Sequence, residues 1–502
     1  MGPAARVGSV GPAELEPLAQ EALRRTSFLV IPLIGAASFM MALDRGNLAF
    51  AATQMNADLK FDATTYGLAA GIFYAALGPL QVPSAAVGMR VGMRWWLGFI
   101  TIGWGVVATC TSLVNTAGQL YLCRLLLGAF EAGAAPAMYH ILAAYYPTDR
   151  LAKPYSAIFV GGQLSLIVSA PLSAALLTLD GVRGLDGWRW LLLIEGLPSI
   201  LLGLAIWAAL PADPLSAWWL PAEQREALHQ AVHGAEMADE ARVRPSLRKM
   251  WATLVATVRQ PVAWALTAAG VLWVMCSFSL GAWVPILISN LLNGTALSSA
   301  TAVGGGKAKS VQATLLSTVP FVTATFAVLA NAWHSDRTRE RTAHIAVPNL
   351  VGGVLLACFG AVARRSVAGG FAIITLSLAC AFATQSVFVA RAAAIMPASQ
   401  TAISVGLLNA VCAGLGGFLG PVVTGAVVRQ LHSFEFAALA MASVLLASSL
   451  ILFGVLVWER RGGGGDGSKG KGNGGGSGGG GGGDGKAPDG AGGSGDLEMP
   501  RR

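Results

Sequence analysis

An acid and a base stand side by side inside an apolar stretch: Asp44 and Arg45, within Ser38-Phe39-Met40-Met41-Ala42-Leu43-Asp44-Arg45-Gly46-Asn47-Leu48-Ala49-Phe50. The surrounding run, residues 28–52, is about long enough to cross a bilayer core as a helix. A charge at that depth costs about 3 kcal/mol even on lenient insertion scales, so it is kept where it faces protein or water. Asp44 and Asn47 are three apart and share a helix face, Asn47 being a further candidate to bind the substrate, and Arg45 points about 100° away from that face. A second pair follows in Tyr121-Leu122-Cys123-Arg124-Leu125-Leu126-Leu127-Gly128-Ala129-Phe130-Glu131. Arg124 and Glu131 lie two turns apart on one stripe, about 10 Å along the axis, with Gly128 between them leaving room beside the backbone. Two acids and two bases can cancel pairwise, which makes burial tolerable. They can also do chemistry. A carboxyl group taken out of water holds its proton more firmly and can exchange it near neutral pH. A guanidinium stays charged and clamps a carboxylate through paired N–H bonds. The set suits proton-coupled movement of an organic anion, with Asp44 and Glu131 exchanging protons and Arg45 and Arg124 holding the substrate carboxylate. The plainer reading is a fixed salt bridge between two helices.

Other polar residues in apolar runs are weaker candidates. Arg391, in Phe388-Val389-Ala390-Arg391-Ala392-Ala393, either meets the substrate or extends its head to the membrane surface. Gln163 and Asn409 either bond a substrate oxygen or a neighbouring helix. Tyr74, Ser277, Trp273 and Trp283 are read first as packing residues. Pro79, Pro83 and Pro285 are expected to kink their helices. Arg90 and Arg94, and Asp336 and Arg337, fall in equivalent loops, where they either pair with helix ends in one conformation only, as gates, or simply set topology.

These residues are carried by a chain that is 54% hydrophobic and 12% charged, with mean hydropathy +0.60 over 502 residues. Soluble domains carry about 25% charged residues. Apolar runs fall at 28–52, 65–88, 96–114, 118–141, 155–178 and 190–210, and again at 261–291, 312–332, 345–363, 369–396, 401–427 and 436–458. The expected fold is an all-α membrane protein of twelve transmembrane helices in two six-helix repeats: a polar segment 1–26, bundles at 27–211 and 260–458, a middle loop 212–259, and a Gly-rich tail 459–502 expected to be disordered. The halves echo each other at an offset of about 250 residues: Arg90–Arg94 matches His334–Thr338, and Ser169–Ala174 matches Leu419–Gly425. Such a repeat with a site between its halves is a secondary-transporter plan.

Lys and Arg favour one set of loops, including Arg24, Arg25, Arg90, Arg94, Arg150, Lys153, Arg337, Arg339, Arg341, Arg460 and Arg461. The alternate loops hold fewer, among them Lys60, Arg183, Arg189, Lys307, Lys309 and Arg429. The first set is therefore read as cytoplasmic, with both termini inside. The net charge of +8 reflects this topology and not a nucleic-acid partner. The N-terminus fits neither a signal nor a transit peptide. The six cysteines lie in apolar runs and read as small core residues, with no metal-binding spacing and no cofactor. No nucleophile–base set suggests an enzyme.

At these residues the sequence resembles the anion:cation symporter family of the major facilitator superfamily. The resemblance rests on Asp44-Arg45-Gly46-Asn47, Gln81-Val82-Pro83-Ser84, Arg124 to Pro136, Gly187-Trp188-Arg189-Trp190 through Pro198, His334-Ser335-Asp336-Arg337-Thr338 and Asn409 to Pro421, and it covers nearly all of residues 27–458. Within the family the chain looks most like tartrate, phthalate, nicotinate and allantoate permeases. The resemblance implies alternating access and symport of a small organic anion, usually with protons, though relatives also include sodium-coupled and potential-driven carriers. It implies coupling and substrate roles for Asp44, Arg45, Arg124 and Glu131, and polar contacts from Gln163 and Asn409. A monomer in the plasma membrane is expected, with vacuolar or plastid membranes and a non-transporting sensor as alternatives. Ala42, Leu77, Gln81, Val389 and Arg391 depart from the family pattern, so the substrate is not carried over. The extra cation at Arg391 hints at a dicarboxylate.

Overall fold

In lipid a chain must satisfy its backbone polar groups internally, and long apolar helices are the economical answer. The computed structural model describes residues 12–147, 150–211, 213–240, 260–294, 307–394 and 401–461. The Gly-rich tail beyond Arg461 and the arginine-bearing end of the middle loop, 241–259, lie outside the described residues. The membrane-spanning helices are α1 (Pro12–Asp58), α2 (Ala63–Val91), α3 (Met93–Thr111), α4 (Ala117–Tyr145), α5 (Ala152–Leu177) and α6 (Gly187–Ala209) in the first half. The second half holds α7 (Pro261–Leu292), α8 (Lys307–Thr338), α9 (Ala343–Ala357, continued by Phe359–Ala363), α10 (Val367–Ala393), α11 (Thr401–Val411, a π turn at Cys412–Gly416, then Gly417–Leu431) and α12 (Phe434–Arg460). Ten of these are long and apolar enough to cross a bilayer, and α3 and α9 fill the two remaining positions.

Several ends are written into the sequence. Asp62 accepts from the Thr65 N–H at the start of α2, and Thr116 forms a reciprocal cap with Gln119 at the start of α4. Ser366 and Ser433 cap α10 and α12. α1 starts well before its apolar run: it is helical from Pro12, and Ala19, Ala22 and Leu23 are buried. Between the halves, the polar helix Ala222–Glu240 packs on α1 and buries Ala227, Leu228 and Val232.

The packing repeats. α3 lies on α6 as α9 lies on α12, α2 on α4 as α8 on α10, and α1 on both α5 and α6 as α7 on both α11 and α12. The halves meet through α2 with α11 and, symmetrically, α8 with α5, together with α1 and α7. The α2–α11 seam is close because Gly67 and Gly71 face the Pro421 and Phe418 carbonyls, where a Cβ would collide with backbone.

Candidate functional site

Eight helices, α1, α2, α4 and α5 from the first half and α7, α8, α10 and α11 from the second, enclose the middle of the molecule, and α1 and α4 bring the charges to it. A cavity of about 290 Å³ lies between the halves, and Arg45, Arg124 and Gln163 line it. Arg45 donates from Nε to Glu131 Oε2 at 2.6 Å, which joins α1 to α4. Its side chain is still one-third exposed, toward the cavity. Arg124 is buried and donates from Nε to the Ala69 carbonyl at 3.3 Å. Among the described residues neither guanidinium gives its Nη groups a protein acceptor. Both lie against the Phe73 ring, Arg124 at 4.8 Å and Arg45 at 5.8 Å from its centroid. Phe73 is held there by Gly128, where any Cβ would meet the Phe73 carbonyl oxygen. α4 breaks immediately after Glu131, between Glu131 and Ala134. Glu131 is 1% exposed, and its Oε1 has no hydrogen-bond partner among the described residues.

Asp44 is turned the other way. It is fully buried, accepts from Ser199 Oγ on α6 at 2.9 Å, and has Asn47 Nδ2 at 3.4 Å. The 100° separation therefore divides the neighbours: Arg45 faces the cavity, and Asp44 and Asn47 face α6. The interhelical salt bridge runs from Arg45 to Glu131, not from Asp44. Arg391 is not on the cavity. It pairs with Glu459 at the end of α12 and donates to Thr342 Oγ1, so the hint of a dicarboxylate loses its basis. Asn409 is exposed and is absent from the cavity wall. Gln163 does line it, and its Oε1 is buried without a partner.

Tyr74 and Ser277 also line the cavity, whereas Trp273 is packed on Phe388 and Trp283 between Tyr66 and Phe434. Gln385 on the wall escaped notice in the sequence. It follows a break in α10 at Thr384, and an uncharged residue there carries no signal. The Trp-Arg motif at the start of α6 is a staple. Trp188 donates to Asp58, and Arg189 to the Ser112 carbonyl and to Asn115. Its buried Glu195 accepts from Ser173 on α5.

At the end away from the termini the halves are joined. Tyr66 donates to the Ala282 carbonyl, Ser310 bonds Thr53, and Asp62–Arg429 and Asp180–Lys307 form ion pairs. At the other end, Arg90, Asp336 and Arg337 are exposed, and Arg94 donates to the Trp207 carbonyl within its own half. No hydrogen bond or ion pair crosses between the halves there among the described residues.

A helical protein built as two packed six-helix repeats, with a charged cavity between them, is a membrane transporter and not an enzyme. Residues 34–421 match the Major Facilitator Superfamily, and the chain belongs to it. It is 30% identical over 439 residues to a protein of Agrobacterium vitis named "Putative tartrate transporter", covering 86% of this chain and 90% of that one. It is 32% identical over 334 residues to the "Putative metabolite transport protein NicT" of Pseudomonas putida, covering 66% and 71%. These relatives lie in the branch that the motifs resemble. Among solved structures, a bacterial homolog of the human lysosomal transporter Spinster in an inward-facing, occupied conformation shares the fold at TM-score 0.66 and 15% identity, covering 85% of this chain and 96% of that one.

Proposed function

We propose that this protein is a proton-coupled symporter of a small organic anion, working by alternating access. The observation that carries the reading is the pairing of Glu131 with Arg45 of the cavity wall, beside a second arginine whose Nη groups have no protein acceptor among the described residues. Glu131 and a substrate carboxylate are rivals for Arg45. With Glu131 ionised, its negative charge offsets one guanidinium. A proton on Glu131 removes that charge and frees Arg45 to join Arg124 in holding the anion. Proton and anion then bind together and leave together. Asp44, bonded to Ser199 on α6 and next in the chain to Arg45, is the second proton carrier in this scheme. The termini and the end that carries Arg90, Arg94, Asp336 and Arg337 face the cytoplasm in this reading, in keeping with the excess of Lys and Arg in those loops. The name of one relative, "Putative tartrate transporter", supports an organic anion.

The test is the Glu131→Gln variant in proteoliposomes. Gln keeps the shape and one acceptor but holds no exchangeable proton. Accumulation of an organic anion driven by an imposed pH gradient is expected to vanish while anion exchange across the membrane persists. Proton-driven accumulation equal to wild type would remove Glu131 from coupling. Accumulation that follows sodium at fixed pH would replace the proton.

A further inference from the structure

The cavity wall is electrically lopsided. Among the described residues its charges come from the first half, Arg45 and Arg124, and Glu131 offsets one of them. The second half contributes Phe278, Phe321, Phe382, Gly281, Ala282 and Pro421, with Ser277 and Gln385 as its uncharged polar members. We propose that the substrate is an aromatic monocarboxylate, its carboxylate on the two arginines and its ring against the second-half wall. This rests on the reading of the cavity as an organic-anion site.

Charge decides against a second carboxylate. Both guanidiniums sit against one ring, Phe73, so they serve one region of the cavity. A carboxylate at the far end of an extended dianion would lie on apolar and aromatic surface with no cation to receive it, and leaving water unpaired is costly. Arg391, the cation on α10, is already held by Glu459 and Thr342.

Ring geometry favours an aromatic body. Tyr74 from α2 and Phe278 from α7 are tilted 33° with centroids 4.7 Å apart, so the two halves meet at an aromatic surface. Phe50 and Phe321 form a second contact across the halves, edge to face at 6.0 Å. A planar ring extends such packing, and each ring–ring contact adds to its area burial. The buried, unpartnered Gln163 oxygen offers an acceptor for a ring hydroxyl or N–H.

The experiment is calorimetric titration of the purified full chain with benzoate, 4-hydroxybenzoate, succinate, tartrate and benzamide. The benzoates are expected to bind about tenfold or more tighter than either dicarboxylate, a difference an unpaired charge readily supplies, with no heat from benzamide. Dicarboxylates binding as tightly as benzoate would overturn the proposal and leave the anion symporter standing. No binding by any carboxylate would remove both. The variant Gln385→Arg adds a cation to the second-half wall at an exposed position. It is expected to shift the succinate-to-benzoate affinity ratio about tenfold toward succinate. A folded Q385R protein with an unchanged ratio would also overturn the proposal.

Discussion

Arg391 and Arg45 are the same residue type in comparable apolar surroundings, yet they meet different fates. Arg45 keeps N–H groups facing the cavity, whereas Arg391 spends its own on Glu459 and Thr342. Arg391→Gln is therefore expected to leave the preference among anions unchanged. Glu459 is one-third exposed, so losing the pair should lower stability by about 1 kcal/mol, read as a small fall in melting temperature. A changed anion preference in R391Q would return it to the site. The sequence could place Arg391 on a helix but not choose its partner, because Glu459 is 68 residues away and enters only through the fold. The same limit hid Ser199 as the partner of Asp44. Arg45, Arg124 and Glu131 were legible because a charge in an apolar run is costly enough to demand a reason.

Helices themselves were easy to read, since twelve apolar runs separated by charged loops leave few alternatives. Their breaks were not. α4 is interrupted after Glu131, α10 at Thr384, and α11 carries a π turn at Cys412–Gly416. The breaks in α4 and α10 stand beside polar residues, Glu131 and Thr384-Gln385-Ser386, but each lies inside a run that hydropathy still reads as one span. A π turn commonly marks a functional segment. Here it packs Gly414 near Gly78 of α2 and Gly417 against Tyr74 on the cavity wall. Gly128 is the element-scale residue with the sharpest consequence. A methyl group there meets the backbone oxygen of Phe73, which cannot rotate out of the way. α4 would have to move off α2 and carry Arg124 from the ring. Gly128→Ala is expected to destabilise the fold by about 2 kcal/mol and abolish anion binding, although Ala is the better helix former. A G128A protein that binds benzoate or succinate as wild type would show that α2 and α4 can separate without disturbing the arginines.

Across the whole molecule, two ion pairs fasten the end away from the termini. Asp62 at the start of α2 meets Arg429 near the end of α11 at 3.3 Å, and Lys307 at the start of α8 meets Asp180, just past α5, at 2.7 Å. α2 and α8 hold equivalent places in the two halves, as do α5 and α11, so the pairs are related by the internal repeat with their charges exchanged. Such a latch can be undone without damage to the helices. Asp62→Asn keeps an acceptor for the Thr65 N–H, and Asp180→Asn keeps one for the Gly187 N–H, while each loses its charge. Arg429 and Lys307 are more than half exposed, so each pair contributes about 0.5 kcal/mol to closure. The double variant D62N/D180N is expected to shift the population about fivefold toward opening at this end. Labelling of a cysteine placed at Ser310, buried in the closed arrangement, by a membrane-impermeant maleimide measures it.

The latch also has a defined pH behaviour. Burial pushes both carboxyls up, but the Lys307 ammonium and the Gly187 N–H hold Asp180 below the ordinary carboxylate range, and Thr65 with Arg429 does the same for Asp62. A depressed carboxyl contributes closure at any pH above its ordinary value of about 4 and loses it only as pH falls through the lowered one. Between about pH 5 and 8 the latch is therefore constant, and the labelling ratio of D62N/D180N to wild type should be equal at both ends of that window. A pH response of wild-type transport within it then arises outside the latch, and the cavity, where Glu131 contends with the anion for Arg45, is its expected source. If D62N/D180N abolished the pH response while Glu131→Gln preserved it, the sensor would be the latch, and the cavity pair would be a fixed brace between α1 and α4.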